Sequence, residues 1–139
     1  MAIGPLLTAV VTINAVDLSD HVKSVSIETE REELDATAMG AVNKVVMAGL
    51  GDATITMTVL ADYAAGEIDA TLWPLSSTTT PFTVTVKPSS AATSATNPLY
   101  SMSALLFNYS PISGSVGEMN ETQISFRNAS QAGLTRATA

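Results

Sequence analysis

The chain has 139 residues and a mass of 14.4 kDa, with 46% hydrophobic, 14% charged and 5% aromatic residues. Thirteen acidic residues against six basic ones give a formal net charge of −7, which excludes holding nucleic acid through phosphates by clustered Lys and Arg. Cysteine is absent, which excludes disulfides and thiolate metal sites. The length suits one domain, 1–139, large enough for its own core. Ser and Thr make up roughly a quarter of the residues, a mixture that favours strands over helices. So thinly charged a surface suits a protein covered by copies of itself. Residues 1–15 have an apolar middle but no basic start, so no signal peptide is expected. No stretch reaches the ~18 apolar residues of a membrane span, and the chain reads as soluble.

Residues 8–13 form a short apolar run suited to a strand, and residues 14–21 carry Asn, Asp and Ser, the residues of turns. A second strand follows over 22–33. Val25, Ile27 and Thr29 alternate there with Ser26, Glu28, Glu30 and Glu32, the period of a sheet with one buried and one wet face. A third strand over 52–60 repeats the division, with Ala53, Ile55, Met57 and Val59 opposite Thr54, Thr56 and Thr58. Between them lies a long loop at about 35–50. Loops of more than about 12–15 residues in compact domains are usually functional or disordered.

The spacing of Ile68, Leu72 and Leu75 predicts one helix within 62–75, starting at Asp62 or Gly66 and stopped by Pro74 at about Trp73. Phe82, Val84 and Val86 alternate with Thr83, Thr85 and Lys87 in a fourth strand. Residues 89–98 are low in complexity and read as a second long loop. A fifth strand over 99–109 places Leu105, Phe107 and Tyr109 on one face. After a Gly/Ser-rich turn, a sixth strand over 118–127 points Thr122, Ile124 and Phe126 inward and Glu121, Gln123, Ser125 and Arg127 outward. The last dozen residues form a tail of small residues. The fold class is mainly β: a β-sandwich or open barrel with one flanking α-helix.

Catalytic chemistry finds little support. Asp17, Asp20 and the single histidine, His21, could be a fragment of a metal site or a His–carboxylate pair, but no further ligands are evident along the chain. They read as a turn whose carboxylates cap backbone N–H groups. Glu28, Glu30, Glu32, Glu33 and Asp35 read as a solvated acidic edge rather than a hydrolase pair, and they lack the Gly and Asn turn residues of a Ca²⁺ loop. No Ser sits in a Gly-x-Ser-x-Gly elbow, and no P-loop, GxGxxG or zinc spacing occurs. Three Asn-x-Ser/Thr matches, at Asn108, Asn120 and Asn128, are chance events in so Ser/Thr-rich a chain. No catalytic, cofactor-binding or metal-binding residue is assigned, and no enzyme activity or cofactor is expected.

The loop is different in character. Met39, Val42, Val45, Val46, Met47 and Leu50 are more apolar than a free solvated loop would keep. It either folds back as a lid on its own core or packs on a neighbouring subunit, where Met supplies adaptable contact area. The second reading is preferred.

Five segments in order then carry a resemblance: Val16-Asp-Leu-Ser-Asp-His-Val22, Glu33-Leu-Asp-Ala-Thr-Ala-Met-Gly40, Asp69-Ala-Thr-Leu-Trp-Pro74, Ser94-Ala-Thr-Asn-Pro98 and Gly114-Ser-Val-Gly117. On these the chain resembles the major tail proteins, the tail-tube subunits, of long-tailed, non-contractile phages of actinobacteria. The resemblance implies a virion protein made in the host cytoplasm that forms hexameric rings stacked into a tube, a conduit for DNA during ejection. Its implied partners are itself, the tape measure, tail terminator and distal tail proteins, and double-stranded DNA that passes without being bound, with no membrane. Glu28, Glu30, Glu32, Thr54, Thr56 and Thr58 would line the lumen. Asp35, Met39, Val42, Val45, Val46, Met47 and Leu50 would make the contact between rings. The rival readings are a capsid decoration or head–tail or tail completion protein, and an immunoglobulin-like or carbohydrate-binding module. Such a module should expose aromatics, and these are scarce here.

Overall fold

A computed structural model describes residues 8–139, so the first part of the stretch read for a signal peptide lies outside the described residues. Eight strands follow in chain order: β1 Val10–Ile13, β2 Val16–Asp17, β3 Val22–Asp35, β4 Val46–Leu60, β5 Phe82–Lys87, β6 Leu99–Leu106, β7 Glu121–Asn128 and β8 Thr135–Ala137. They form one antiparallel sheet in the order β2-β1-β5-β6-β7-β4-β3, with β8 also paired to β6. A 3-10 turn, Ser19–His21, precedes β3, and one helix, α1 Ile68–Leu75, joins β4 to β5.

Alternation explains the layering. Val11 and Ile13, Ile55, Met57 and Val59, Phe82, Val84 and Val86, and Ile124 and Phe126 all point to one side and are buried. The apolar stripe of α1, Ile68, Leu72 and Leu75, packs into the same cluster. Phe82 and Phe126 meet edge to face, ring centroids 5.8 Å apart at 85°, the geometry aromatic quadrupoles prefer. The two ends of the sheet approach one another: Ala9 and Val11 share a small cleft with Val22, Lys23, Ser24 and Val25. Ser19 closes the β1 edge there. Its hydroxyl accepts from the Val11 N–H at 2.8 Å, and the Leu18 N–H donates to the Val11 carbonyl at 3.1 Å. The mainly β, open-barrel architecture with one flanking helix is as the sequence predicts.

Several boundaries differ. The strand pairing of β3 and β4 runs on through Leu34↔Met47 and Asp35↔Val46, so the predicted 35–50 loop shortens to a tip at 36–45. The helix begins at Ile68, not Asp62 or Gly66. It continues through Pro74 to Leu75, because a proline in the last turn forfeits one hydrogen bond while Ser76 N–H still bonds Leu72 and Trp73 carbonyls. In β6, which ends at Leu106 rather than Tyr109, the buried residues are Met102, Ala104 and Leu106, so the inward face is the one opposite Leu105, and Phe107 is exposed beyond the strand. Tyr109 lies beyond the strand and donates its hydroxyl to Asp69 at 3.0 Å. The small-residue tail contributes β8, held by backbone pairing and a 2.7 Å Ser101–Thr135 hydroxyl contact. The 89–98 segment is organised by buried Asn97, whose side chain donates to the Ser89, Ala91 and Ala92 carbonyls and accepts from the Ser89 N–H.

Phe126 is fully buried in the core, edge to face with Phe82 of β5. Phe126→Ala is expected to lower unfolding stability by about 3–5 kcal/mol in urea titration, the cost of a large core cavity.

Candidate functional site

Strand pairing decides which polar residues share a surface. Opposite one another on β3 and β4 stand Glu28 and Thr54, Ser26 and Thr56, and Ser24 and Thr58. Cross-strand partners project to the same side of a sheet, here the side away from Ile27, Ile55 and Met57. Strand β7 adds Arg127 opposite Thr54, Ser125 opposite Thr56 and Gln123 opposite Thr58. The face continues across Leu105 and Ser103 of β6, Thr83 and Thr85 of β5, and Thr12 of β1. The result is a broad, mainly hydroxyl surface with an acidic end.

At that end Glu30 lies opposite Asp52, next to Glu28. The Glu28 carboxylate beside it raises the Glu30 pKa above the ordinary carboxylate value, because two adjacent negative charges repel. Arg127 pairs with Asp52 at 2.7 Å and so offsets one of the three carboxylates. At the other end of β3, Lys23 pairs with Glu121 at 2.7 Å. Alternation marked Arg127 as outward-facing, but its place beside Asp52 was not readable, because β7 lies far along the chain and becomes a neighbour of β4 only in the sheet. Glu32 occupies an irregularity in the ladder between Arg31 and Glu33, and a Cβ at Gly49 would stand 3.0 Å from the Glu32 Cβ. A side chain at position 49 would crowd Glu32 and require it to shift by a few tenths of an ångström.

Past Asp52 the β3–β4 ladder leaves the body of the protein. Residues 30–50 are exposed on both faces save half-buried Gly49, forming a two-stranded arm with no core beneath it. The predicted contact residues all lie on it: Asp35, Met39, Val42, Val45, Val46, Met47 and Leu50 are exposed, Met39 and Val42 almost completely. The arm does not fold back as a lid. Its tip is tied by local bonds. The Asp35 carboxylate accepts from the Thr37 N–H at 2.9 Å, which lowers its pKa, and the Val45 N–H donates to the Thr37 hydroxyl at 2.8 Å. Where the arm joins the body, Glu30, Arg31, Leu50 and Asp52 face the 128–134 segment across a groove of about 850 Å³.

The histidine has more partners than the sequence suggested. Asp20 lies 2.8 Å from Nδ1, Asp62 2.8 Å from Nε2 and Glu67 3.4 Å from Nε2, the last two brought in from the approach to α1. Asp62, then Asp20 and Glu67, raises the His21 pKa against the opposing effect of burial. Asp17 takes the expected capping role instead, accepting from the Ser19 N–H at 3.0 Å. Among the described residues no helix is long and apolar enough to cross a membrane.

Comparison with solved structures places this geometry. A chain in the virion of a native gene transfer agent particle superposes with a TM-score of 0.73 at 10% identity, covering 93% of this chain and 95% of that one. A chain in the tail of an empty gene transfer agent particle, obtained with C6 symmetry, gives 0.68 at 14% identity over 86% and 83%. A chain from the sheath/tube terminator of an extracellular contractile injection system gives 0.70 at 14% over 96% of each. The fold is tail-tube-like. No family model and no curated protein matches the sequence.

The acidic pair is open to direct measurement. Glu28→Gln removes the neighbour that raises the Glu30 pKa, so Glu30 is expected to titrate at lower pH than in the unaltered protein when its carboxyl carbon is followed by NMR. An unchanged midpoint would show that the two carboxyls do not interact.

Proposed function

We propose that this chain is a structural virion protein, the tail-tube subunit of a long-tailed phage, and that it performs no catalysis. The observation that carries this reading is the arm: a two-stranded ribbon bearing exposed Met, Val and Leu side chains on a tail-tube-like fold. An isolated hairpin is marginal in water, and contiguous exposed apolar surface marks an interaction site. A second copy of the chain supplies the missing cover. Among the described residues β3 has β4 as its one strand neighbour, leaving a long edge that a neighbouring subunit can continue. Hexameric rings agree with the C6 symmetry of the gene transfer agent tail that shares the fold.

The second part of the proposal concerns the polar face. Glu28, Glu30 and Glu32, with Thr54, Thr56 and Thr58, would line the bore of the stacked rings. Repeated around a ring, their negative charge repels phosphates, and hydroxyls offer no cation for DNA to hold. The proposed cargo is double-stranded DNA during ejection, passing without specific binding. Tape measure, terminator and distal tail proteins would meet the ends of the tube, and the particle would be of the non-contractile, actinobacterial type.

Purified protein at high concentration is expected to form tubes or six-fold rings under negative stain, and a stable monomer would overturn the reading. Deleting residues 39–47 should abolish tube growth while circular dichroism and the melting transition of the body persist. For the bore, tubes carrying Glu28→Lys, Glu30→Lys and Glu32→Lys should retain duplex DNA at low salt in co-sedimentation, whereas unaltered tubes should not. Equal retention would remove the non-stick role.

A further inference from the structure

The exposed large hydrophobic side chains are not scattered. Among the described residues, seven of the thirteen lie on the arm: Leu34, Met39, Val42, Val45, Val46, Met47 and Leu50. Four more, Tyr63, Ile112, Val116 and Met119, gather elsewhere, and Trp73 and Phe107 stand apart. The place of the four is fixed by pairing. Leu60, the last residue of β4, pairs with Glu121, and the Ala61 N–H donates to the Asn120 carbonyl at 2.8 Å. The 111–120 segment therefore sits at the end of β4 opposite the arm. At about 3.4 Å per residue, the 15 residues of β4 put the two apolar surfaces at opposite poles, roughly 50 Å apart.

This second pole is built, not loose. The Tyr63 hydroxyl donates to the Pro111 carbonyl at 2.6 Å and accepts from the Asn120 side chain at 2.7 Å, while the Asn120 amide oxygen accepts from the Ser113 N–H at 3.1 Å. These bonds hold Ile112, Val116 and Met119 in a turn with their side chains exposed, Val116 completely so. Nothing in the chain's own core explains that cost.

We propose that the turn carrying Ile112, Val116 and Met119 is the receptor for the arm of a second copy of this chain, stacked head to tail. The inference rests on the tube reading above and adds the surface on which the arm lands. Charge at the two tips agrees with this pairing, while the arm below its tip carries Glu32, Glu33 and Asp35. The arm tip carries Lys44 and the opposite turn carries Glu118, both exposed. Arm against arm would set Lys44 near Lys44, and turn against turn would set Glu118 near Glu118; head to tail brings opposite charges together. A contact between two different surfaces of one chain cannot close on itself without rotation about an axis, and so it propagates.

Two substitutions at almost fully exposed positions test this without touching the core. Val42→Asp disables the arm and leaves the turn; Val116→Asp disables the turn and leaves the arm. Each variant alone should sediment as a non-stacking unit, and mixing them should give a product of about twice that mass and no longer polymer, because one good arm meets one good turn. Pairing of Val116→Asp with itself, or failure of the mixture to associate, would overturn the proposal. Lys44→Glu and Glu118→Lys should each weaken stacking, and the double reversal should restore it. If the unaltered protein stays monomeric at every concentration, both the tube reading and this receptor fail. If it forms tubes but the mixture does not pair, the receptor alone fails.

Discussion

The antiparallel ladder between β3 and β4 is the constraint on which the rest depends. It runs from Val22↔Val59 to Asp35↔Val46, longer than the body it belongs to. Over its first half, alternation puts Val25, Ile27, Ile55 and Met57 against the core and Ser24, Ser26, Glu28, Thr54, Thr56 and Thr58 on the outer face. Over its second half there is no core to face. Both sides of the ribbon are then exposed, and apolar residues there become surface. One continuous pairing thus generates the acidic hydroxyl face, the projecting arm and the fixed separation between them.

The electrostatics of the face follow from sheet order. Placing β7 beside β4 brings Arg127 to Asp52 and leaves Glu28 and Glu30 to repel one another. Exposed pairs of this sort contribute little to stability, so their value lies in the field they set up rather than in holding the fold. The core carries the stability, with Phe126, Phe82 and the α1 stripe at its centre.

Strands with one apolar and one polar face were legible in full. Phe82, Val84 and Val86, or Thr122, Ile124 and Phe126, leave a single choice of inward face, and the structure takes it. In β6 both faces are apolar: Leu105 competes with Met102, Ala104 and Leu106. There periodicity is silent, and the register with β5 and β7 settles the outcome. Strand β8 carries no pattern because backbone pairing and the Ser101–Thr135 hydroxyl contact, not an apolar face of the strand, recruit it. Asn97, and the Asp62 and Glu67 partners of His21, were unreadable for a related reason: the contacts run through loops or between distant positions, and polar contacts leave no periodic trace.

The strand-rich class, the inward residues of most strands, the single helix stripe, the acidic charge and the apolar character of the 35–50 segment are written in the residues themselves. Each follows from local chemistry: side-chain period, propensity and composition act within a few residues. Folding adds that this segment is a ribbon standing clear of the core, that Arg127 tempers the acidic end, that three carboxylates surround His21, and that a second apolar surface lies at the far end of β4. Those facts depend on which strands become neighbours, and neighbours far apart in sequence are chosen by the packing of the whole sheet.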